Sequence, residues 1–198
     1  MPALNLSTTR LLLRAMEEND YVAVHAYMSL SEVMRYRTTE PHTSLEQTYE
    51  FVLRTLEPPD ALPRTKYVFA ILLGSTSQLI GDCFVRILDP TIQEGMIGYT
   101  LHPDYWNQGY TTEAVQALLE YSFSNLGLHR IFAECHVENR ASARVMKKVG
   151  MRQEGLFREF RRSRGVWWDI LHYAILDHEW QKQKSSEKSA FQPRIEET

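Results

Sequence analysis

Residues 106–114 read Trp-Asn-Gln-Gly-Tyr-Thr-Thr-Glu-Ala, a short glycine-containing loop that runs directly into an amphipathic helix. A strand-like run, Met96 to Leu101, precedes the loop, and apolar residues then recur at helical spacing from Ala114 until Gly127, which can end the helix. The first N–H groups of a helix have no intrahelical acceptor and carry partial positive charge, so this start could bind a phosphate through main chain alone. By itself the signal is weak, because a glycine at a helix start is more often simple turn chemistry.

A second strand followed by a second helix start strengthens this interpretation. The run from Arg130 to Val137 favours a strand, and residues 139–150, Asn-Arg-Ala-Ser-Ala-Arg-Val-Met-Lys-Lys-Val-Gly, begin the next helix. Together the two segments resemble the signature motifs of the GNAT acetyltransferases, and most closely the branch that includes the ribosomal-protein N-terminal acetyltransferases RimJ and RimL. The resemblance extends from Thr-Arg-Leu-Leu-Leu-Arg at residues 9–14 to Trp180.

Length and composition predict one globular domain with a single core, since 43% of the 198 residues are hydrophobic. A net charge of −3 argues against nucleic acid as the main partner, because binding a polyanion over a wide face needs a surplus of lysine and arginine. Cys83 and Cys135 lie in apolar runs without metal-ligand spacing, which favours two reduced, buried thiols and no metal site. No run is long enough to span a bilayer and no signal peptide is recognisable, so we expect a cytoplasmic protein without a membrane partner.

The order of elements along the chain predicts the architecture. Leucines alternate from Leu4 to Arg14 as in one first strand, two helices follow, from Glu17 and over residues 44–56, and Pro58-Pro59 closes the second. Later strands are expected over residues 67–73, 79–88, 92–101 and 130–137, with a final hairpin over 151–176 that turns at Arg164-Gly165. The strand, loop, helix, strand order places a parallel neighbour beside the strand that ends at Leu101.

The expected fold is therefore α/β (α+β), and by resemblance the GNAT fold: a mixed, mostly antiparallel sheet of about seven strands with helices on both faces. Residues 1–180 are predicted to form the acetyltransferase domain, and residues 181–198 a polar, mobile C-terminal tail. Exposed strand edges leave a possible homodimer open.

The resemblance implies acetyl-CoA as co-substrate and assigns it three groups of residues. The main chain of one strand would pair with the pantetheine arm, the amides of the glycine loop would cradle the pyrophosphate, and the next helix start would add polar contacts. In this order they are Tyr99, Thr100 and Leu101; Gln108, Gly109, Tyr110, Thr111 and Thr112; and Asn139 and Ser142. The commonest form of the loop has glycine in place of Asn107 and glycine or alanine in place of Thr111.

Acyl transfer from a thioester to an amine needs a neutral amine and a stabilised thiolate. An α-amine, with a pKa of about 7.7–8.0, needs less help from a base than an alkylamine at about 10.4, and a thiol at about 8.5 leaves readily. By resemblance Ser142 is the candidate proton donor. Asn139 is a further catalytic candidate by resemblance: its side chain would contact the cofactor or an ordered water, and the same residue can also cap the helix. Many family members use a tyrosine where this chain has Met146, a position that suits the core.

The sequence does not identify which group acts as the general base. Many family members carry a glutamate where this chain has Met96; Glu94 shares that strand face and could act through a water, although a solvated carboxylate at the strand end is the simpler interpretation. Glu134 and His136 on the next strand are alternatives, and so is water alone. Cys135 as an acyl-carrying nucleophile would need a partner base and a ping-pong mechanism, which we disfavour.

Two classes of function remain. The first is an N-acetyltransferase acting by direct attack in a ternary complex, with a protein N-terminus as the favoured acceptor by resemblance and a polyamine or antibiotic as the competing one. The second is an acyl-CoA-binding protein without catalysis, which the Met96 and Met146 departures leave open. The acceptor cleft could be lined by Tyr36, Arg37, Trp167 and Trp168, although buried packing also explains aromatic side chains.

Overall fold

The computed structural model describes residues 5–56 and 64–190, and of residues 187–190 only the backbone. The strands are β1 (Asn5–Ser7), β2 (Leu11–Ala15), β3 (Lys66–Leu73), β4 (Leu79–Asp89), β5 (Glu94–Leu101), β6 (Arg130–His136), β7 (Arg152–Ser163) and β8 (Val166–Leu176). The α-helices are α1 (Tyr21–Met28), α2 (Ser31–Met34), α3 (Leu45–Thr55), α4 (Tyr110–Ser124), α5 (Arg140–Lys148) and α6 (Asp177–Ala190). The predicted Pro58-Pro59 stop lies outside the described residues.

The described strands form one sheet in the order β1-β2-β3-β4-β5-β6-β8-β7, and neighbours are antiparallel except β5 and β6, which are parallel as predicted. The sheet has eight strands instead of about seven because the expected first strand is a hairpin of two. Thr8 closes its turn: the amide of Thr8 donates to the carbonyl of Leu11, whose amide donates to Thr8 Oγ1, both at 2.9 Å. A side-chain hydroxyl therefore reverses the chain without glycine or proline.

Helices cover both faces of the sheet, as the sequence predicts. On one face α4 buries Ala114, Val115, Leu118 and Leu119 completely against β3–β6, together with Met146 of α5. On the other face α1, α2 and α3 form a second core around Val24, Met28 and Val52. The helices that begin at the two signature motifs thus share one face, and α2 lies on the opposite one.

The C-terminal hairpin turns at Arg164 and Gly165, as predicted, and both residues have positive φ, 50° and 77°. The chain then enters α6, which crosses residue 180, where the sequence predicts that the domain ends and a polar tail begins. Residues up to Ala190 are therefore helical, while the mobility of the tail stays a prediction. Among the described helices, none combines the length and apolar character needed to cross a bilayer.

A buried ion pair joins β2 to the segment that leads into α1, and its removal should destabilise the fold. Arg14 Nη1 and Nη2 donate to the two carboxylate oxygens of Asp20 at 2.7 and 2.6 Å, and the Asp20 side chain is 9% exposed. Replacing Asp20 by alanine leaves the guanidinium without this partner, so we expect the free energy of unfolding in urea to fall by about 2–4 kcal/mol. The control is Glu17→Ala, since Glu17 is 66% exposed and 3.8 Å from Arg14; its loss should cost less than about 1 kcal/mol. Equal effects would show that burial does not set the strength of this pair.

Candidate active site

A cleft of 750 Å³ opens where β5, the start of α4 and the start of α5 meet. Eight of the residues predicted to bind the cofactor line it: Tyr99, Thr100, Leu101, Gly109, Thr111, Thr112, Asn139 and Ser142. Residues of α2 and the segment after it form the opposite wall: Glu32, Val33, Arg35, Tyr36 and Arg37. Three segments more than 25 residues apart in sequence, 32–37, 99–112 and 139–148, are thus brought to one site.

The cleft exists because β5 and β6 diverge. Along the described chain the two parallel strands pair only over Glu94–Met96 and Arg130–Phe132, although β5 continues to Leu101 and β6 to His136. β5 keeps its ladder to β4 up to Leu101, so the edge that it turns toward β6 has no strand partner beyond Met96. The Leu101 carbonyl on this edge accepts from Trp106 Nε1 at 2.8 Å, and the remaining main-chain donors and acceptors can pair with an extended ligand.

The loop before α4 presents unpaired amides to the same cleft. Asn107 and Gly109 have positive φ, 59° and 83°. No side chain of the described residues caps the helix, so within that part of the chain the first N–H groups of α4 have no side-chain acceptor. Thr111 lies in the helix, and helical φ suits threonine, so its departure from the usual glycine or alanine causes no backbone strain. The conformational demand falls instead on Asn107, a residue type that tolerates positive φ.

Arg10 orients this loop from outside the cleft. Its Nη1 donates to the carbonyl of Gln108 at 3.0 Å, and its Nε donates to Glu113 in the first turn of α4 at 2.7 Å. Because the carbonyl and the following N–H of a trans peptide point in opposite directions, the N–H of Gly109 points away from Arg10. Gln108 and Tyr110 themselves do not line the cleft, and the Tyr110 ring lies against the guanidinium of Arg10.

Asn139 and Ser142 occupy the start of α5, where the sequence puts them. Asn139 caps the helix by accepting from the amide of Ser142 at 3.1 Å. The Ser142 hydroxyl lies 2.8 Å from the hydroxyl of Tyr99, which is also 3.1 Å from the Ser142 carbonyl. Burial raises the pKa of Tyr99, so this phenol keeps its proton and can donate to Ser142. The contact joins residues 43 positions apart, and no local sequence pattern predicts it.

Cys135 is unsuited to nucleophilic attack. It is buried on the core face of β6, and burial raises the pKa of its thiol to about 11, against an opposing hydrogen bond from Ser142. A thiol with such a pKa is almost fully protonated near neutral pH, and only the thiolate attacks a thioester. This chemistry supports the preference for direct transfer over a ping-pong mechanism.

The candidate bases lie in different places. Glu94 sits at the beginning of β5, where Arg130 Nε donates to it at 3.2 Å, and it does not line the cleft. Glu134 is bound to Arg161 of β7 and to His172 of β8. His136 stacks on Tyr36, a cleft residue, with ring centroids 5.2 Å apart, and its Nδ1 accepts from the amide of Glu138 at 3.1 Å. Among the described residues, no group of three or more His, Cys, Asp and Glu side chains could hold a metal ion.

Basic side chains in the cleft were largely missed from the sequence. Arg144 and Lys148 line it from α5, and Arg35 and Arg37 from the opposite wall, with Glu32 as the one lining carboxylate in the described chain. The signal for α5 was available, because Ala141, Arg144, Val145 and Lys148 recur at helical spacing on one face. Arg37 was named only as a possible wall residue, since no periodicity marks a residue between two helices.

Comparison with known proteins gives consistent matches over most of the chain. Residues 10–152 match the family model described as "Acetyltransferase (GNAT) domain". The uncharacterized N-acetyltransferase YnaD of Bacillus subtilis is 40% identical over 178 residues, 89% of this chain and 99% of that protein. The crystal structure of a GNAT-family acetyltransferase from Bacillus anthracis superposes with a TM-score of 0.78 at 36% identity, covering 88% of this chain and 99% of that one.

Relatives of lower identity are named for different acceptors. A spermidine N(1)-acetyltransferase of Vibrio cholerae is 23% identical over 172 residues, 87% of this chain and 96% of that protein. A ribosomal-protein-serine acetyltransferase of Escherichia coli is 26% identical over 132 residues, 66% of this chain and 74% of that protein. These names do not by themselves select an acceptor for this chain.

Proposed function

The chain belongs to the GNAT acetyltransferase family, and from this premise we propose that it transfers an acetyl group from acetyl-CoA directly to a protein N-terminal α-amine, both substrates being bound together. The activity class, N-acetyl transfer, is that of the family and of the named relatives. The observation that carries the proposal is a single cleft that contains both the uncapped amides of α4 and the free edge of β5.

We assign the pyrophosphate of acetyl-CoA to the loop and first turn of α4. Gly109, Thr111 and Thr112 line the cleft, no side chain of the described residues caps this helix start, and a helix N-terminus favours negative charge. Arg144 and Lys148 on α5 add positive charge on the same face of the sheet. The free edge from Tyr99 to Leu101 is suited to the amide groups of the pantetheine arm.

We assign the proton donor to Ser142. Acetyl-CoA supplies an activated thioester whose thiol, with a pKa of about 8.5, leaves as a thiolate with modest assistance. The Ser142 hydroxyl lies 2.8 Å from the Tyr99 hydroxyl, and when the phenol donates to it the Ser142 proton is free to bond to the departing sulfur. A donor that itself accepts a hydrogen bond is polarised, which strengthens its own donation.

The charge of the cleft favours an α-amine over a polyamine. With Arg144 and Lys148 assigned to the pyrophosphate, the opposite wall still carries Arg35 and Arg37 against one carboxylate of the described chain, Glu32, so a ligand with several ammonium groups meets repulsion. Nearby positive charge also lowers the pKa of a bound amine, and an α-amine at about 7.7–8.0 starts close to the neutral form. Glu94 lies outside the cleft, and Nδ1 of His136 already accepts from the amide of Glu138 at 3.1 Å, which leaves the ring proton on Nε2. We therefore propose that water takes the remaining proton.

A steady-state assay of free thiol release with an amine panel tests the proposal. The panel should contain short peptides with free N-termini, the same peptides N-acetylated, spermidine and an aminoglycoside. We expect thiol release with the free peptides and at least about tenfold lower kcat/KM with the two polycations. Preference for spermidine or the aminoglycoside would favour a small-molecule enzyme, and CoA binding without thiol release would favour a binding protein. Cytoplasmic location and homodimerisation stay predictions of the sequence.

A further inference from the structure

Arg37 has an incomplete set of partners in the described chain. It lies in the cleft wall after α2, is partly buried, and donates from Nη1 to Thr100 Oγ1 at 2.6 Å. Within residues 5–56 and 64–190 its side chain makes no other hydrogen bond and no ion pair. A guanidinium has five N–H donors in a fixed fork, so most of them remain for a ligand.

A buried network fixes the side of Arg37 that faces the protein. Thr100 lies opposite Asp82 in the β4–β5 ladder, and Asp82 accepts a hydrogen bond from the Tyr27 hydroxyl at 2.7 Å. Burial raises the pKa of Asp82, and the positive charge of Arg37 acts against that rise. The guanidinium is thus bonded to Thr100 and lies within electrostatic reach of a buried carboxylate, which holds it at this position.

The segment that carries Arg37 is fixed at both ends by the tip of the β7–β8 hairpin. Arg164 Nη2 donates to the carbonyls of Met34 and Thr39, each at 3.0 Å, and Arg164 Nε pairs with Glu40 at 3.0 Å. Residues 34–40 are therefore anchored before any ligand arrives. A binding group that is already ordered loses little entropy when a ligand binds.

Arg37 lies across the cleft from the residues that we assign to the phosphates of acetyl-CoA. Arg144 and Lys148 belong to α5, on the face of the sheet that carries α4, whereas α2 packs in the core on the other face. Acetyl-CoA by the assignment above approaches from the α4 and α5 side, which leaves the α2 wall to the acceptor. Arg35 lies in the same wall and adds a second positive charge.

We propose that Arg37 binds a carboxylate of the acceptor, so that the preferred substrate is a primary amine with an acidic group one residue away. A guanidinium binds a carboxylate through two parallel N–H···O bonds, which would also orient the amine toward the thioester. The carboxylate could come from an aspartate or glutamate in the second position of a peptide or from the free α-carboxylate of an amino acid. This inference rests on the proposed function.

Matched acceptors distinguish the two possible sources of the carboxylate, a peptide side chain and a free α-carboxylate. Thiol release is measured with peptides that share an N-terminal alanine and differ at the second residue, aspartate, asparagine or lysine, and with alanine against alaninamide. We expect kcat/KM to be at least about tenfold higher for the aspartate peptide than for the asparagine peptide, and lower still for the lysine peptide. If alanine exceeds alaninamide by the same factor and the peptides do not differ, the free α-carboxylate is the source.

Variants at position 37 test the residue itself. Arg37→Gln should remove the advantage of the acidic acceptor and leave the KM for acetyl-CoA unchanged. Arg37→Glu should reverse the order, so that the lysine peptide becomes the better acceptor, and Arg37→Lys should keep part of the original preference. The control is Arg158→Gln, which removes the same charge from an exposed position of β7 outside the cleft and should change nothing.

Three outcomes would overturn the inference while leaving the proposed function intact: equal rates with all acceptors, unchanged selectivity in Arg37→Gln, or a selective rise in the KM for acetyl-CoA. Absence of thiol release with every amine would instead contradict the proposed function. In that case calorimetric binding of the same acceptors to the CoA complex still decides whether Arg37 selects a carboxylate. If Arg37→Gln unfolds, the wild-type acceptor series and Arg37→Lys give the answer.

Discussion

Replacing Thr112 by glutamate is expected to weaken acetyl-CoA binding about 100-fold without loss of folded protein. Thr112 is the third residue of α4 and lines the cleft. A carboxylate there repels the assigned pyrophosphate by about 3 kcal/mol at short range in a partly solvated site. The same charge is favourable to the helix, because negative side chains in the first turn complement its dipole. Calorimetric titration with acetyl-CoA measures the first effect and thermal unfolding the second.

The matched control for this change is Gln47→Glu. Gln47 holds the third position of α3, is exposed and lies outside the cleft. Both variants add one carboxylate to the first turn of a helix, so both should keep or slightly raise the melting temperature, and only the change at Thr112 should reduce binding. Undiminished affinity in Thr112→Glu would move the phosphate site away from α4.

Replacing Ser142 by alanine is expected to lower kcat about 100-fold and to leave the KM for acetyl-CoA nearly unchanged. The hydroxyl is assigned to the departing sulfur, so it acts in the transition state and contributes little to binding. Tyr99→Phe removes the group 2.8 Å behind it and should produce a smaller loss of about tenfold, since Ser142 can still donate. Both constants come from initial rates of thiol release at saturating acceptor.

Ser124→Ala is the control for the serine change. Ser124 lies at the exposed end of α4, and its hydroxyl bonds only to Glu120, one turn earlier, within the described chain. Its removal should leave kcat and KM as they are. If Ser142→Ala keeps full kcat, the thiolate leaves without this donor, and the role of the α5 start reduces to capping by Asn139.

Local sequence patterns predicted most helices, strands and turns. The features that they did not predict depend on contacts between residues distant in sequence. The glycine loop before α4, the cap at Asn139 and the hairpin turn at Arg164-Gly165 each have a signature within a few residues, and the structure has all three. The split between β1 and β2 has none, because a threonine hydroxyl closes that turn. The strand count was therefore one too low.

Within the site, too, the contacts between distant residues could not be predicted from local sequence. Strand period gave the face on which Glu94 lies, but it cannot tell where along β5 the neighbouring strand departs. That point is Met96, and Glu94 lies before it, paired with Arg130. The Tyr99–Ser142 and Arg37–Thr100 contacts join residues 43 and 63 positions apart, and a single sequence contains no local sign of either.

Because Arg164 bonds to residues 34–40, the acceptor side of the cleft can change in evolution independently of the nucleotide side. The proposed nucleotide site is built on α4, α5 and the N-terminal hairpin, whereas the proposed acceptor wall is bonded to a hairpin turn far away in sequence. Mutations in that turn can change the position of residues 34–40 without changing how the nucleotide is bound. Grafting such turns between related enzymes should then exchange acceptor preference as a module, a route by which one scaffold can diversify its targets while keeping the same acyl donor.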